Sequence, residues 1–298
     1  MTEPAAAPPP SRPRRSVLYM PGAKERALEK AKTLAADSLI LDLEDAVAPA
    51  EKAEARGKVA AAIQAGGYGR RELIMRINGL ETPWGLEDLK VAAAAGAHAV
   101  LIPKVNAAAQ IQEIDGLLQK HGAPESTRIW AMMETPRGML HAEAIAAATP
   151  RLEAFVMGTN DLVKELEAAH TTQRLPVITG LGLCMLAARA YGLAAIDGVY
   201  NAFEDEAGFR EACVQSRELG FDGRTLIHPK QIAAANEVFA PSEEEIALAR
   251  RYVEAFEETI AKGEAVAVVD GKIVENLHVD MAKKRLAQAA LIMEMAEG

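Results

Sequence analysis

Between residues 16 and 229 the chain repeats one pattern eight times: a short apolar, β-prone run, then usually a longer, Ala-rich, helix-prone stretch. The runs are SVLYM (16–20), SLILDL (38–43), LIMRIN (73–78), AVLIPK (99–104), IWAMME (129–134), AFVMG (154–158), AAIDGVY (194–200) and RTLIHP (224–229). Such alternation predicts βα units on a parallel sheet, and eight of them close into an α/β fold, the (β/α)8 TIM barrel. With 298 residues, 50% of them hydrophobic, the chain can fill one large core and an appendage. An open doubly wound sheet is the competing arrangement, but its nucleotide fingerprint is missing. Gly180-Leu181-Gly182 has Met185 where a third glycine belongs, and it falls in a helix-prone stretch rather than after a strand.

The barrel accounts for residues 15–240. Residues 1–14, MTEPAAAPPPSRPR, lack the apolar centre of a signal peptide and read as a flexible tail. Residues 241–298 fall outside the eightfold count. There a helix opens at Pro241-Ser242-Glu243-Glu244-Glu245, Asp270-Gly271 marks a hairpin, and a last helix is expected over about 280–296. This extension is placed to act as a lid over a barrel mouth and as an oligomer contact.

The net charge, 33 − 42 = −9, argues against nonspecific attraction to nucleic acid or anionic membrane. No apolar run approaches the roughly 20 residues of a membrane span. Cys184 and Cys213 are isolated, which speaks against a disulfide scaffold or zinc site and for a reducing cytoplasm.

Chemistry-bearing residues gather at the C-terminal ends of the runs, where a barrel keeps its active site. They are Asp42-Leu43-Glu44-Asp45, Arg76-Ile77-Asn78, Pro103-Lys104, Glu134, Asn160-Asp161 and His228-Pro229. One strand-end acid alone can be a helix cap, but six polar ends on one face point to a catalytic mouth. Glu134 and Asp161, from neighbouring strands, make a hard oxygen corner suited to Mg²⁺, with Mn²⁺ as the alternative. Arg76 adds a planar cationic fork for a carboxylate. Arg26 and Lys30 lie four positions apart, on one helical face beside Pro21-Gly22, and suit a phosphate. Lys24 and Lys52 read instead as solvated. Lys104 reads as an ion-pair partner rather than a Schiff-base lysine. His98, His121, His141 and His170 are scattered singly and read as structural or surface residues, and nothing specific makes His278 a base. No G-x-S-x-G or Cys-His arrangement signals a covalent nucleophile.

In order and with compatible spacing, RSVLYMPG, LILDLEDAV, MRING, IPKV, METPRG, MGTNDL and IHPKQI resemble the serial motifs of the CitE-like branch of the HpcH/HpaI aldolase family. That branch includes citrate lyase β subunits, malyl-CoA and citramalyl-CoA lyases and malyl-CoA thioesterases. The resemblance implies a Mg²⁺-dependent TIM barrel that assembles as a homotrimer or hexamer. Glu134 and Asp161 match the metal ligands, and Arg76 the substrate arginine. Asp42 matches an acid that orders Arg76 and the metal's water shell. Asn160, Ile227 and His228 lie in pocket-lining segments, while Tyr19, Arg26 and Lys30 match contacts to coenzyme A. Asp280 sits where lyases of the family carry an acid on a lid over an adjacent subunit; its other reading is an N-cap. The expected reaction is reversible cleavage of a 3-hydroxyacyl-CoA (malyl-, β-methylmalyl- or citramalyl-CoA) to glyoxylate or pyruvate and an acyl-CoA. It would pass through an enolate that Asp280 protonates. Hydrolysis of the same thioester is the rival, and a subunit working on a carrier-bound acyl group is a further alternative.

Overall fold

The structure, a computed structural model, describes residues 12–261, 263 and 265–296. Residues 1–11 of the expected tail lie outside the described residues, but its last residue, Arg14, is buried.

All eight expected strands form: β1 (Ser16–Pro21), β2 (Ser38–Asp42), β3 (Glu72–Arg76), β4 (Ala99–Ile102), β5 (Arg128–Met133), β6 (Leu152–Met157), β7 (Ala194–Asp197) and β8 (Gly223–Leu226). They pair in parallel, in sequence order, and β8 returns to β1, closing the barrel. Side chains alternate across the wall, as the twofold period of a strand requires. Val17, Ile40, Ile74, Leu101, Trp130, Met132, Val156 and Ile196 fill the interior, whereas Leu18, Leu39, Leu41, Met75, Val100 and Phe155 face the surrounding helices. Gly180-Leu181-Gly182 lies inside the helix Leu175–Tyr191, so it cradles no phosphate.

At the N-terminal ends of the strands a polar plug closes the floor. Arg14 donates two hydrogen bonds of 2.8 Å to Glu72, pairs with Glu153 at 2.7 Å, and lies 5.1 Å from the Trp130 ring centroid. Register builds the opposite end. The β2–β3 ladder places Asp42 beside Arg76, and β1–β2 places Pro21 beside Asp42. Gly22 then passes so close that any Cβ there would stand 2.6 Å from the Asp42 carbonyl oxygen.

The extension consists of the helix Glu243–Ala261, a hairpin of β9 (Ala267–Val269) and β10 (Lys272–Val274), and the helix Asn276–Ala296. Ser242 and Glu245 cap the first helix reciprocally, at 2.8 and 3.1 Å. Asp270 and Gly271 both take positive φ, 49° and 73°, the tight hairpin turn their sequence predicts. Ala267, Val269, Val274 and Val279 form a small core of their own against Leu248, Tyr252 and Phe256. The last helix begins four residues earlier than expected, so Asp280 is not its N-cap.

Candidate active site

Arg76 is the centre of the mouth. Its Nε and Nη2 each donate to Asp42 at 2.6 Å, and its Nη1 pairs with Glu44 at 2.7 Å and approaches Asp45 at 3.5 Å. Its guanidinium carbon lies 4.9 Å from the Tyr19 ring centroid. Burial opposes the charge on Arg76, but Tyr19, Asp42 and Glu44 outweigh it and hold the group protonated. The Asp42 carboxylate also accepts backbone N–H bonds from Glu44 and Ala46, at 2.9 and 3.1 Å, so its oxygens are fully engaged. Asp42 therefore orients Arg76.

Glu134 stands one residue past β5 and is 2% exposed. Its Oε1 accepts a 2.8 Å bond from the backbone N–H of Lys104, which adopts a left-handed backbone (φ 49°) to present it. Gly158, after β6, packs against the same side chain, and a methyl group there would overlap the Glu134 carboxylate. Burial pushes the Glu134 carboxyl up to about 8, against the Lys104 amide, and the Asp161 and Glu44 charges push the same way. Asp161 lies in the first turn of the helix Thr159–Glu165, where an acid suits the helix dipole. Burial likewise raises Glu44 to about 7, opposed by Arg76 and helped by Asp45 and Asp42. Burial also works against the charge of the Lys104 ammonium, yet Asp161, Glu134 and Glu44 raise its pKa on balance. A protonated amine is no Schiff-base nucleophile, which agrees with the ion-pair reading.

A corner where burial and neighbouring carboxylates raise the pKa of Glu134 and Glu44 is short of positive charge. Among the described residues no three His, Cys, Asp or Glu gather as a closed metal cage. A pair of carboxylates suits Mg²⁺, which seldom sheds its hydration shell completely and takes its other ligands from water or substrate. Glu134 and Asp161 are the residues that fit it.

The other sequence candidates lie in different settings. Asn160 exchanges amide hydrogen bonds with Asn201 at 3.0 and 3.2 Å, tying the β6 and β7 loops together. The backbone N–H groups of Ile227 and His228 donate to Gln231 Oε1 at 3.0 and 3.2 Å, and the His228 ring stacks on Phe203 with centroids 4.7 Å apart. Arg26 and Lys30 are exposed on the helix Glu25–Ala31. Asp280 is exposed, and its carboxylate accepts a 3.4 Å bond from the Asn276 side chain; among the described residues no hydrogen bond or ion pair joins it to the mouth of its own barrel. His98 and His141 are structural as expected, accepting from or pairing with backbone at 3.0 and 2.8 Å.

Two further residues depart from the sequence reading. Lys52 is not solvated: it is 7% exposed and donates to the carbonyls of Leu43 and Glu44 at 3.0 and 2.8 Å, satisfying the turn that carries the acids. Asn78 braces Leu43 and Asp88 instead of facing the mouth. Sequence reasoning gave no role to Glu44 or Gln231. For Glu44 the signal was present in the run Asp42-Leu43-Glu44-Asp45, while the bonds of Gln231 are set by tertiary approach.

The barrel and its acid–arginine mouth define a class. The HpcH/HpaI aldolase/citrate lyase model matches residues 15–229, and the chain belongs to that family. Among its relatives, (3S)-malyl-CoA thioesterase of Cereibacter sphaeroides is 55% identical over 280 residues, covering 94% of this chain and 96% of the relative. L-malyl-CoA/beta-methylmalyl-CoA lyase of the same species is 35% identical, covering 96% and 97%. Citrate lyase subunit beta of Escherichia coli is 36% identical, covering 94% and 95%. Protein CitE from Mycobacterium tuberculosis, solved in complex with magnesium, acetoacetate and coenzyme A, superposes with a TM-score of 0.75 at 28% identity, covering 94% and 99%.

Proposed function

We propose that this chain is a Mg²⁺-dependent malyl-CoA thioesterase, adding water across the thioester C–S bond to release malate and CoA. The observation that carries the reading is the 55% identity with (3S)-malyl-CoA thioesterase along 94% of the chain. It shifts the balance away from the lyase that Asp280 favoured in the sequence, because the lyase relative stands at 35%.

Glu134 and Asp161 would hold Mg²⁺, or Mn²⁺ in its place. When bound, the metal supplies a Lewis acid that stabilises charge on a substrate oxygen. Arg76 binds the substrate carboxylate through Nη1, the nitrogen that Asp42 leaves free, and the incoming carboxylate displaces Glu44. Asp42 keeps the planar fork aimed, and Tyr19 walls the pocket beneath it. Arg26 and Lys30 meet CoA phosphates, and Asn160, Ile227 and His228 line the acyl end.

The extension acts as a lid in a homo-oligomer, a trimer or hexamer, with Asp280 serving a neighbouring copy as proton acceptor for the attacking water. Support for a covering partner comes from exposed apolar side chains around it: Val268 and Ile273 pair across the hairpin, and Leu277 and Met281 share one helix face, all at least 55% exposed. The same Asp280 supports the second reading, the lyase, in which it protonates a departing enolate.

Incubation with malyl-CoA and Mg²⁺, with products identified by mass, tests the proposal. Free malate and CoA are expected. Glyoxylate with acetyl-CoA would install the lyase, and no turnover of malyl-, β-methylmalyl- or citramalyl-CoA would remove both.

A further inference from the structure

The helix Leu175–Tyr191 packs on the outside of the barrel against β6 and β7. Val177, Leu181, Cys184, Ala187 and Ala188 form its buried side. The opposite side is nearly as apolar. Leu175, Thr179, Gly182, Leu183, Leu186 and Ala190 recur there at helical spacing and are exposed, Leu175 by 65% and Leu186 by 72%. No charged side chain occurs from Leu175 to Ala188, in a chain that is 25% charged. A helix that is apolar all round belongs in an interior. This one has an interior on one side only.

The face extends beyond the helix. Met139 seats against Gly180 and Cys184, which sets the short helices Pro136–Leu140 and Ala142–Ala146 alongside. They add Leu140, 77% exposed, and the exposed Ala144 and Ala147 beside it. Near the midpoint of the long helix, Gly182 leaves a notch, since a Cβ there would meet nothing within 4 Å. A helix of 17 residues is about 25 Å long, and two helices side by side are about 20 Å across. The face thus spans ~500 Å², in the range of the largest patches that monomers expose, and its rim brings it near the ~800 Å² per partner of a stable interface.

Charge decides what covers it. At −9 overall, two copies of this chain meet at least cost where neither is charged. Around Leu140 the rim holds one charge of each sign, the exposed Arg137 and Glu143, so the face turned upon itself brings opposite charges together. An anionic membrane would call for a basic rim instead.

We propose that this face is a two-fold interface joining two copies of the chain, with Leu183 and Leu186 of one copy packed over Gly182 of the other. It is a different surface from the hairpin and helix of the lid, and it does not depend on which thioester reaction the mouth performs.

Gel filtration with light scattering measures the assembly against a chain mass of 31.8 kDa. A two-fold contact joins its halves in pairs, so Leu186→Glu should halve the parent's mass. Glutamate is a good helix former, and the far-UV spectrum should stay as in the parent. In native Gly182→Cys a short bismaleimide should give covalent dimers, whereas the parent, with Cys184 and Cys213 buried, should give none. Val268→Glu, on the hairpin, disturbs the lid contact alone, so its mass reports on that reading and separates its failure from failure here. The proposal is overturned if the parent is a monomer, which would leave the face to a different protein. Folded Leu186→Glu with the parent's mass would overturn it too, as would a fall to one third, the mark of a lost ring contact. Absence of dimers from Gly182→Cys would do the same.

Discussion

The Glu134 carboxyl, with its pKa pushed up to about 8 by burial and then by Asp161 and Glu44, holds a proton at neutral pH until a cation arrives. Metal binding must release that proton. Mg²⁺ affinity, measured by calorimetry, should therefore rise by roughly tenfold per pH unit up to about pH 8 and then level off. A flat profile would contradict a protonated Glu134. The sign for stability is opposite. A raised folded-state pKa contributes stability that is complete below the unfolded value of about 4.3 and is lost as pH climbs through the folded value. The metal-free protein should melt progressively lower as pH rises from about 4.3 toward about 8, and Mg²⁺ should recover the difference. Gly158→Ala tests the same corner sterically, since its methyl would occupy the space of the Glu134 carboxylate. Loss of Mg²⁺ binding with an unchanged far-UV spectrum is expected. The acids were legible in the sequence because each ends an apolar run. The Lys104 amide on Glu134 was not, because that bond depends on two strands meeting.

At the scale of elements, the eight strands and the hairpin were readable from period and turn chemistry. The final helix was misjudged at its start. Asn276 opens it, and His278 Nδ1 accepts the Glu275 N–H at 3.1 Å, so a capping signal lay in Glu275-Asn276, ahead of the expected boundary. Moving the boundary leaves Asp280 exposed on the second turn, free to serve another copy. Asp280→Ala should abolish turnover and leave Mg²⁺ binding intact. If the lid acts in trans, mixing it with Arg76→Lys under conditions that exchange subunits should restore part of the activity, read in the same product assay. An inactive mixture, with exchange verified, would place Asp280 on its own barrel or outside the mechanism.

Across the whole molecule, the barrel separates stability from chemistry by its ends. The floor holds Arg14 between Glu72 and Glu153, and Glu72 keeps its pKa below the usual carboxylate value because Arg14 and Ser38 outweigh burial. Removing one partner of a buried pair costs about 3–5 kcal/mol, since the other charge is left uncompensated. Arg14→Ala should show a loss of that order in denaturant unfolding, with metal affinity at the opposite end unchanged. Stability from the lowered Glu72 is present above its unfolded pKa and is lost as pH falls through the folded one, so the variant should also lose part of the acid dependence.

The sequence by itself determined the barrel, the strand-end acids, Arg76 and the family, because short apolar, β-prone runs and the polar residues that end them are local properties that survive without coordinates. Tertiary structure alone decided which groups share charge: Arg76 among three acids, Lys52 beneath the acidic turn, Arg174 with Arg224 on the Asp197 carboxylate. Those partnerships join residues far apart in the chain, and burial sets their electrostatics, which no local pattern encodes.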